Sequence, residues 1–171
     1  MRFFIVFFDR DGVLNKLVFR DGNYYSPRDI DNFQLYNDAE KVIHKIKAKG
    51  FLALVVSNQP DIARGFLKKS VLNEMTKKIY DKLSVDDIFY CMHDDPDAAG
   101  CRKPAIGLII KAQKKWDLDL SQSMMIGDSE KDFGAAKNAG IKFILMSRSH
   151  NKHMKISNRI NTLADIEYYL N

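Results

Sequence analysis

Cysteine is scarce in this 171-residue sequence, with only Cys91 and Cys101 present. Two thiols cannot supply the several bridges that staple small exported folds, and a chain of this size buries enough surface not to need them. In a chain without an export signal, the pair is expected to be reduced or bound to metal. Long apolar runs are missing too, which excludes a membrane-spanning helix. The apolar start Met1-Arg2-Phe3-Phe4-Ile5-Val6-Phe7-Phe8 runs straight into Asp9-Arg10-Asp11 with no small-residue cleavage site, so it reads as a buried strand of a cytoplasmic protein rather than a leader. No internal repeat, low-complexity tract or Pro/Gly/Ser-rich linker divides the chain, and a single domain over residues 1–171 follows.

What is present is an ordinary globular balance of 46% hydrophobic and 29% charged residues. The net charge of +5 suits an anionic ligand. The lysines lie mostly at helix-like positions without interleaved aromatics, so a nucleic-acid groove is not legible and a monomeric protein acting on a small molecule is expected.

Five short apolar runs, at 3–8, 52–56, 88–91, 124–126 and 143–146, end in polar residues. They do not alternate, as befits strands covered on both faces. Segments 38–49, 70–83, 106–116 and 130–139 carry helical spacing, with Gly50 and Gly140 placed as C-terminal stops. A closing helix is expected over 162–170 with Thr162 as its cap. Strands alternating with helices predict a three-layer α/β fold, a Rossmann-like parallel sheet with helices on both faces.

Open sheets of this kind gather their ligands beyond the carboxyl ends of the strands. Four polar groups stand there. Asp9 and Asp11 follow the first strand two residues apart, so an extended backbone directs both carboxylates to one side; one can attack as a nucleophile while the other moves a proton. Ser57, Asn58 and Gln59 follow the second strand and offer a hydroxyl and amides as donors to phosphoryl oxygens. Arg102 and Lys103 precede a helix expected to start at or just after Pro104, and supply a bidentate clamp and a point charge. Asp128 follows the fourth strand, where it can join Asp9 and the Asp11 carbonyl around Mg²⁺, a cation that accepts hard oxygen ligands and phosphate. Asp132, one helical turn on, can hold Lys103 or a metal-bound water. Each group alone reads as an ordinary turn or cap; together they add up to phosphoryl transfer.

In this order the four motifs resemble those of the haloacid dehalogenase superfamily of aspartate-nucleophile phosphatases, over nearly the whole chain. Phe8-Asp9-Arg10-Asp11-Gly12, Ser57-Asn58-Gln59, Ile62-Ala63-Arg64-Gly65, Cys91-Met92-His93 and Cys101-Arg102-Lys103-Pro104 look like the branch acting on heptose bisphosphates and histidinol phosphate. The resemblance implies that Asp9 is the nucleophile and Asp11 the acid/base, with Ser57 and Lys103 stabilising the phosphoryl group. It also implies that Asn58 and Arg102 touch substrate and that Asp9, Asp11 and Asp128 hold Mg²⁺. The intervals between the motifs are filled, which leaves no room for a large cap domain; residues 15–31 are expected to form a short flap, with Arg20, Tyr24 and Tyr25 facing substrate.

The branch also carries a structural zinc loop, matched here by Cys91, His93 and Cys101. Ala99 stands where a fourth ligand, a cysteine, is required, with Asp94, Asp95 or Asp97 as substitutes. The expectation is therefore a loop held by backbone hydrogen bonds with free thiols, and zinc only if one of those acids completes the site. The reaction implied first is removal of the 7-phosphate from a heptose 1,7-bisphosphate. Histidinol phosphate, a nucleic-acid 3′-phosphate, and a non-catalytic phospho-ligand binder are the alternatives.

Overall fold

The computed structural model describes residues 4–95 and 100–170. Phe3, Asp97 and Ala99, which entered the reading above, lie outside them. Six parallel strands form the central sheet: β1 (Phe4–Phe8), β4 (Phe51–Asn58), β5 (Asp87–Cys91), β6 (Met124–Gly127), β7 (Lys142–Met146) and the two-residue β8 (Arg159–Ile160), in the order β5-β4-β1-β6-β7-β8. The order reverses at β1, whose register pairs Phe8 with Val55 on one side and Ile126 on the other. The crevice at this reversal lies where open α/β sheets bind ligands.

The apolar runs lack polar alternation because both faces are covered. Along β1, Val6 and Phe8 pack into one core with Val42, Ile43 and Ile46 of α1 (Ala39–Ala48) and Leu72, Met75 and Ile79 of α2 (Lys69–Leu83). Ile5 and Phe7 point the other way, into a core with Leu108, Ile109 and Ala112 of α3 (Gly107–Trp116) and Ala135 and Ala136 of α4 (Glu130–Ala139). Phe7 and Phe8 are wholly buried, and each such side chain contributes about 1.5–3 kcal/mol of transfer free energy. A slip of one residue in β1 would exchange these two cores, so burial fixes the register and with it the position of Asp9.

The expected helices and five of the strands lie within a few residues of their predicted bounds. Three features differ. The closing segment is a 3₁₀ helix, Leu163–Tyr169, tied at its start by Thr162 N–H donating to Asp165 Oδ2 at 2.9 Å and packed by Leu163 and Ile166. β8 adds a sixth strand too short for a sequence pattern. The flap contains a two-stranded hairpin, β2 (Val18–Arg20) and β3 (Asn23–Tyr25), turning on Asp21 and Gly22 at φ 51° and 78°. Among the described residues no helix is long and apolar enough to cross a membrane, and no cap domain covers the crevice.

Candidate active site

Asp9 enters the crevice directly from β1, its N–H donating to Ile126 O at 2.9 Å and extending the β1/β6 ladder by one residue. Lys103, which is 3% exposed, reaches it from the loop before α3: Nζ lies 2.8 Å from Asp9 Oδ1, 2.6 Å from Asp132 Oδ1 and 2.8 Å from Val56 O. The ammonium thus donates all three of its protons to oxygen. Burial works against its charge, but Asp132 and Asp9 outweigh that and hold it above the ordinary lysine range.

The Gly127-Asp128-Ser129-Glu130-Lys131-Asp132 segment does two jobs at once. Ser129 caps α4, accepting from Asp132 N–H, while Asp132 Oδ2 accepts from Asp128 N–H, Ser129 N–H and Ser129 Oγ. The capping box spends one Asp132 oxygen and Lys103 takes the other. Gly127 is required here, because a Cβ on it would stand 2.2 Å from Asp132 Cβ. Asp128 projects back towards β1 over Gly12, whose φ of +81° and missing Cβ make room: an added Cβ would lie 1.9 Å from Asp128 Oδ2.

Asp9, Asp128 and Asp132 present carboxylate oxygens that all lie within 4.8 Å of one another. Burial, then the charge of Asp132, pushes the Asp9 carboxyl up to about 8, and burial likewise raises Asp128. Three acids facing one ammonium and the His150 imidazole leave the cluster short of positive charge. With Asp132 spent on Lys103 and its cap, Asp9 and Asp128 are the oxygens suited to a hard divalent cation, and the site fits Mg²⁺.

Asp11 does not put its carboxylate in this cluster. Oδ1 accepts from Arg10 Nε (3.0 Å), Arg10 Nη2 (2.8 Å) and Asn15 Nδ2 (2.9 Å), and Oδ2 from Arg10 Nη2 (3.0 Å) and Gln59 Nε2 (2.7 Å). Ser57, 1% exposed, accepts from the same Gln59 amide at 3.0 Å. Asn58 grips the Lys103 backbone in both directions, Nδ2 donating to Lys103 O at 3.1 Å and Oδ1 accepting from Lys103 N at 2.9 Å. Arg102 borders the cleft and pairs with Asp94 at 3.0 Å. The cleft is about 740 Å³, bounded by Asp9, Asp11, Asn58, Lys103, Asp128 and the flap residue Tyr24 among others.

Comparison with known proteins gives this geometry a family. Residues 22–146 match the haloacid dehalogenase-like hydrolase family. The chain belongs to the haloacid dehalogenase-like hydrolases. It is 33% identical to the D-glycero-beta-D-manno-heptose-1,7-bisphosphate 7-phosphatase of Haemophilus ducreyi, over 97% of each chain. It is 29% identical to the corresponding alpha-heptose enzyme of Campylobacter jejuni, over 94% of this chain and 92% of that one. Among solved structures it resembles a D,D-heptose 1,7-bisphosphate phosphatase from B. bronchiseptica, complexed with magnesium and phosphate: TM-score 0.84, 25% identity, 99% of this chain and 98% of that one covered.

The hydrolase departs from expectation at its cysteines. Cys91 and Cys101 are joined in a disulfide, with no free cysteine among the described residues. His93 Nδ1 sits 3.7 Å from Cys91 Sγ and 3.3 Å from Cys101 Sγ. The three side chains do meet, but bonded sulfurs are not thiolates, and the thiolate is the ligand. The zinc reading of Cys91, His93 and Cys101 is therefore corrected, as is that of free thiols. Asp94, offered as a substitute ligand, is taken by Arg64 and Arg102. The bridge fastens the loop bearing Arg102 and Lys103 to the end of β5.

Two groups of site residues escaped the sequence reading. The loop after β7 carries Arg148, His150 and Asn151. Arg148 Nε donates to Gly12 O at 2.7 Å, Asn151 Nδ2 donates to Asp128 O at 2.8 Å, and His150 Nε2 lies 3.1 Å from Asp128 Oδ2, which raises the imidazole. This loop too follows a strand's carboxyl end, a signal that was available. The second group is Arg10 and Asn15 around Asp11, joined there by Gln59, which is expected from the sequence to donate to phosphoryl oxygens but gives its amide protons to Asp11 and Ser57. On the flap, Tyr24 borders the cleft and hydrogen-bonds Ser149 Oγ at 2.7 Å, whereas Tyr25 packs between Arg20 and Arg28. The helix after Lys103 begins at Gly107, one residue inside the expected 106–116 span and three beyond Pro104.

Proposed function

We propose that this hydrolase removes the 7-phosphate of a heptose 1,7-bisphosphate, using Asp9 as nucleophile and Asp11 as acid/base. The observation that carries the reading is the meeting of Asp9, Asp128 and Lys103 at the β1/β6 crevice, from three distant stretches of chain. The names of the relatives, for both anomers, support the sugar.

Asp9 attacks phosphorus, its new Oδ–P bond forming as the bond to the sugar oxygen breaks, and Asp11 hands that oxygen a proton. Water then attacks the aspartyl-phosphate, Asp11 takes its proton, and Asp9 returns to the carboxylate. Lys103 neutralises charge beside Asp9 throughout, and its third bond, to Val56 O, fixes it without a reorganisation step. Asp9, Asp128 and the Asp11 carbonyl would hold Mg²⁺, which would supply the remaining positive charge for the phosphoryl oxygens. Ser57 donates its hydroxyl proton to the phosphoryl group, while Asn58 acts by holding the Lys103 backbone. Arg102 at the cleft edge suits the second phosphate of a bisphosphate.

The test is phosphate release with Mg²⁺ from both anomers of heptose 1,7-bisphosphate, other sugar phosphates, histidinol phosphate and a 3′-phosphorylated oligonucleotide. A preference for a heptose bisphosphate is expected, with Asp9→Asn leaving less than about a hundredth of the rate. Faster turnover of another member of the panel would replace the substrate, and Asp9→Asn turning over at near wild-type rate would remove the nucleophile.

A further inference from the structure

We infer that Gln59 is a positioning residue that couples the acid/base Asp11 to the phosphoryl-binding Ser57, with Arg10 as the buried anchor beneath Asp11. The inference rests on the phosphatase reading above and adds to it how two of its groups are aimed.

The hydrogen bonds have a direction that decides this. A glutamine amide nitrogen has two protons and no lone pair to offer. Gln59 Nε2 spends one on Asp11 Oδ2 at 2.7 Å and the other on Ser57 Oγ at 3.0 Å. Ser57 Oγ is thereby the acceptor in that contact, and its own proton is left to point elsewhere, towards a phosphoryl oxygen. A glutamine in this place does for Ser57 what an unassisted hydroxyl rotor cannot, since a rotor spreads its proton over several directions. The residue is 1% exposed, so no water competes for either bond. Its backbone is fixed as well, Gln59 N–H donating to Cys91 O at 2.7 Å.

Arg10 completes the layer. It is wholly buried, lies 5.4 Å from the Phe33 ring and 5.8 Å from the Tyr90 ring, and makes all three of its carboxylate contacts with Asp11. Three donors hold Asp11 Oδ1 and two hold Oδ2, one of the latter being Gln59. Oδ1 is the anchored oxygen and Oδ2 the one that works, released to the leaving oxygen when the Gln59 amide yields. The amide that yields also orients Ser57, so phosphoryl binding and proton delivery are linked through one side chain.

The experiment uses Gln59→Met, which keeps the volume and removes both donors, and Gln59→Glu, which keeps the shape and replaces donors by acceptors. Each is measured alone and after Ser57→Ala or Asp11→Asn, on an alkyl phosphomonoester and on 4-nitrophenyl phosphate, whose leaving group needs no proton. On the alkyl ester, Gln59→Met is expected to lower kcat about 30- to 100-fold, with KM within about threefold. The loss should shrink to about tenfold on 4-nitrophenyl phosphate, where the leaving group needs no proton and Asp11 serves only as the base of the second step, and should shrink further there after Ser57→Ala. After Asp11→Asn the cost on the alkyl ester should fall several-fold. Gln59→Glu should lose at least as much and also melt lower, because it sets a second carboxylate against buried Asp11. Equal losses on both substrates and in every background would make Gln59 a merely structural residue and overturn the inference. A wild-type chain that releases no phosphate from any ester overturns the phosphatase reading and this inference together, which distinguishes the two failures.

Discussion

Replacing Lys103 by methionine tests whether the buried charges are a balanced set. Lys103 and Asp132 have side chains 3% and 1% exposed with 2.6 Å between Nζ and Oδ1, and Asp9 shares the same ammonium at 2.8 Å. Removing one member of a buried pair leaves the other uncompensated and costs about 3–5 kcal/mol, even where the intact pair contributes little net stability. With a urea slope of roughly 2 kcal/mol per molar, Lys103→Met should lower the midpoint by about 2 M. Asp132→Asn alone should also destabilise, since it breaks the same pair. The double variant should be more stable than the sum of the singles by at least about 1.5 kcal/mol.

The sign of the pH dependence follows from Asp9. Its folded pKa of about 8 lies above the ordinary 3.8, so between those values the folded chain keeps a proton that the unfolded chain has released, and metal-free stability falls as pH rises from about 4 to about 8. The contribution of Lys103, raised from 10.5, is complete below that value and disappears only at higher pH. The Lys103→Met penalty should therefore be smaller at pH 5, where Asp9 carries its proton, than at pH 9. A single variant within about 1 kcal/mol of wild type, or strict additivity in the double, would refute the charge-balance argument.

Two further predictions concern the metal and the bridge. Because Asp9 is protonated below about 8, Mg²⁺ binding at pH 7 should release close to one proton and weaken about tenfold per pH unit on acidification; calorimetry showing the same heat in buffers of different ionisation enthalpy would count against it. The Cys91–Cys101 bridge closes a sequence separation of 10, so its reduction or Cys101→Ser should cost roughly 2.5–3 kcal/mol by chain entropy. KM should rise through Arg102, with kcat within about threefold because Asn58 and the two acids hold Lys103 independently. An unchanged melting temperature after complete reduction would contradict the bridge's role, and a tenth of an equivalent of zinc or more in protein purified without added metal would revive the metal reading.

The sheet was legible because its strands are buried on both faces and so read as plain apolar runs. The motifs were legible because the strand ends deliver them. What stayed hidden depends on contacts across the chain. The sheet order that puts Asp128 beside Asp9 is not written in either segment. Arg10 has no role legible in the sequence, because its burial depends on Phe33 and on Met75 of α2, and Gln59 reads as a phosphoryl donor until Asp11 and Ser57 claim both its protons. The hairpin was visible in principle: Asp21-Gly22 between Val18-Phe19-Arg20 and Asn23-Tyr24-Tyr25 is the dipeptide that a two-residue turn with positive φ demands. The disulfide could not be read, since spacing alone does not distinguish a bridge from a metal clip.

The flap explains how an uncapped cleft can still be selective. Without a cap domain to close over the sugar, the walls must be set before substrate arrives. Tyr24 ties the hairpin to the loop after β7 through Ser149, and its ring lies 5.5 Å from that of His150, which contacts Asp128. Arg28, at the base of the flap, pairs with Asp61 at 2.7 Å and covers the Phe66 ring at 4.4 Å. Asp61 also meets Arg64, which shares Asp94 with Arg102. These pairs are partly exposed, and each contributes little on its own. Linked in a chain, they connect the flap to Arg102 at the edge of the cleft. On the proposed bisphosphate reading, selectivity would rest on the spacing between the Asp9 site and Arg102, which the loops carry.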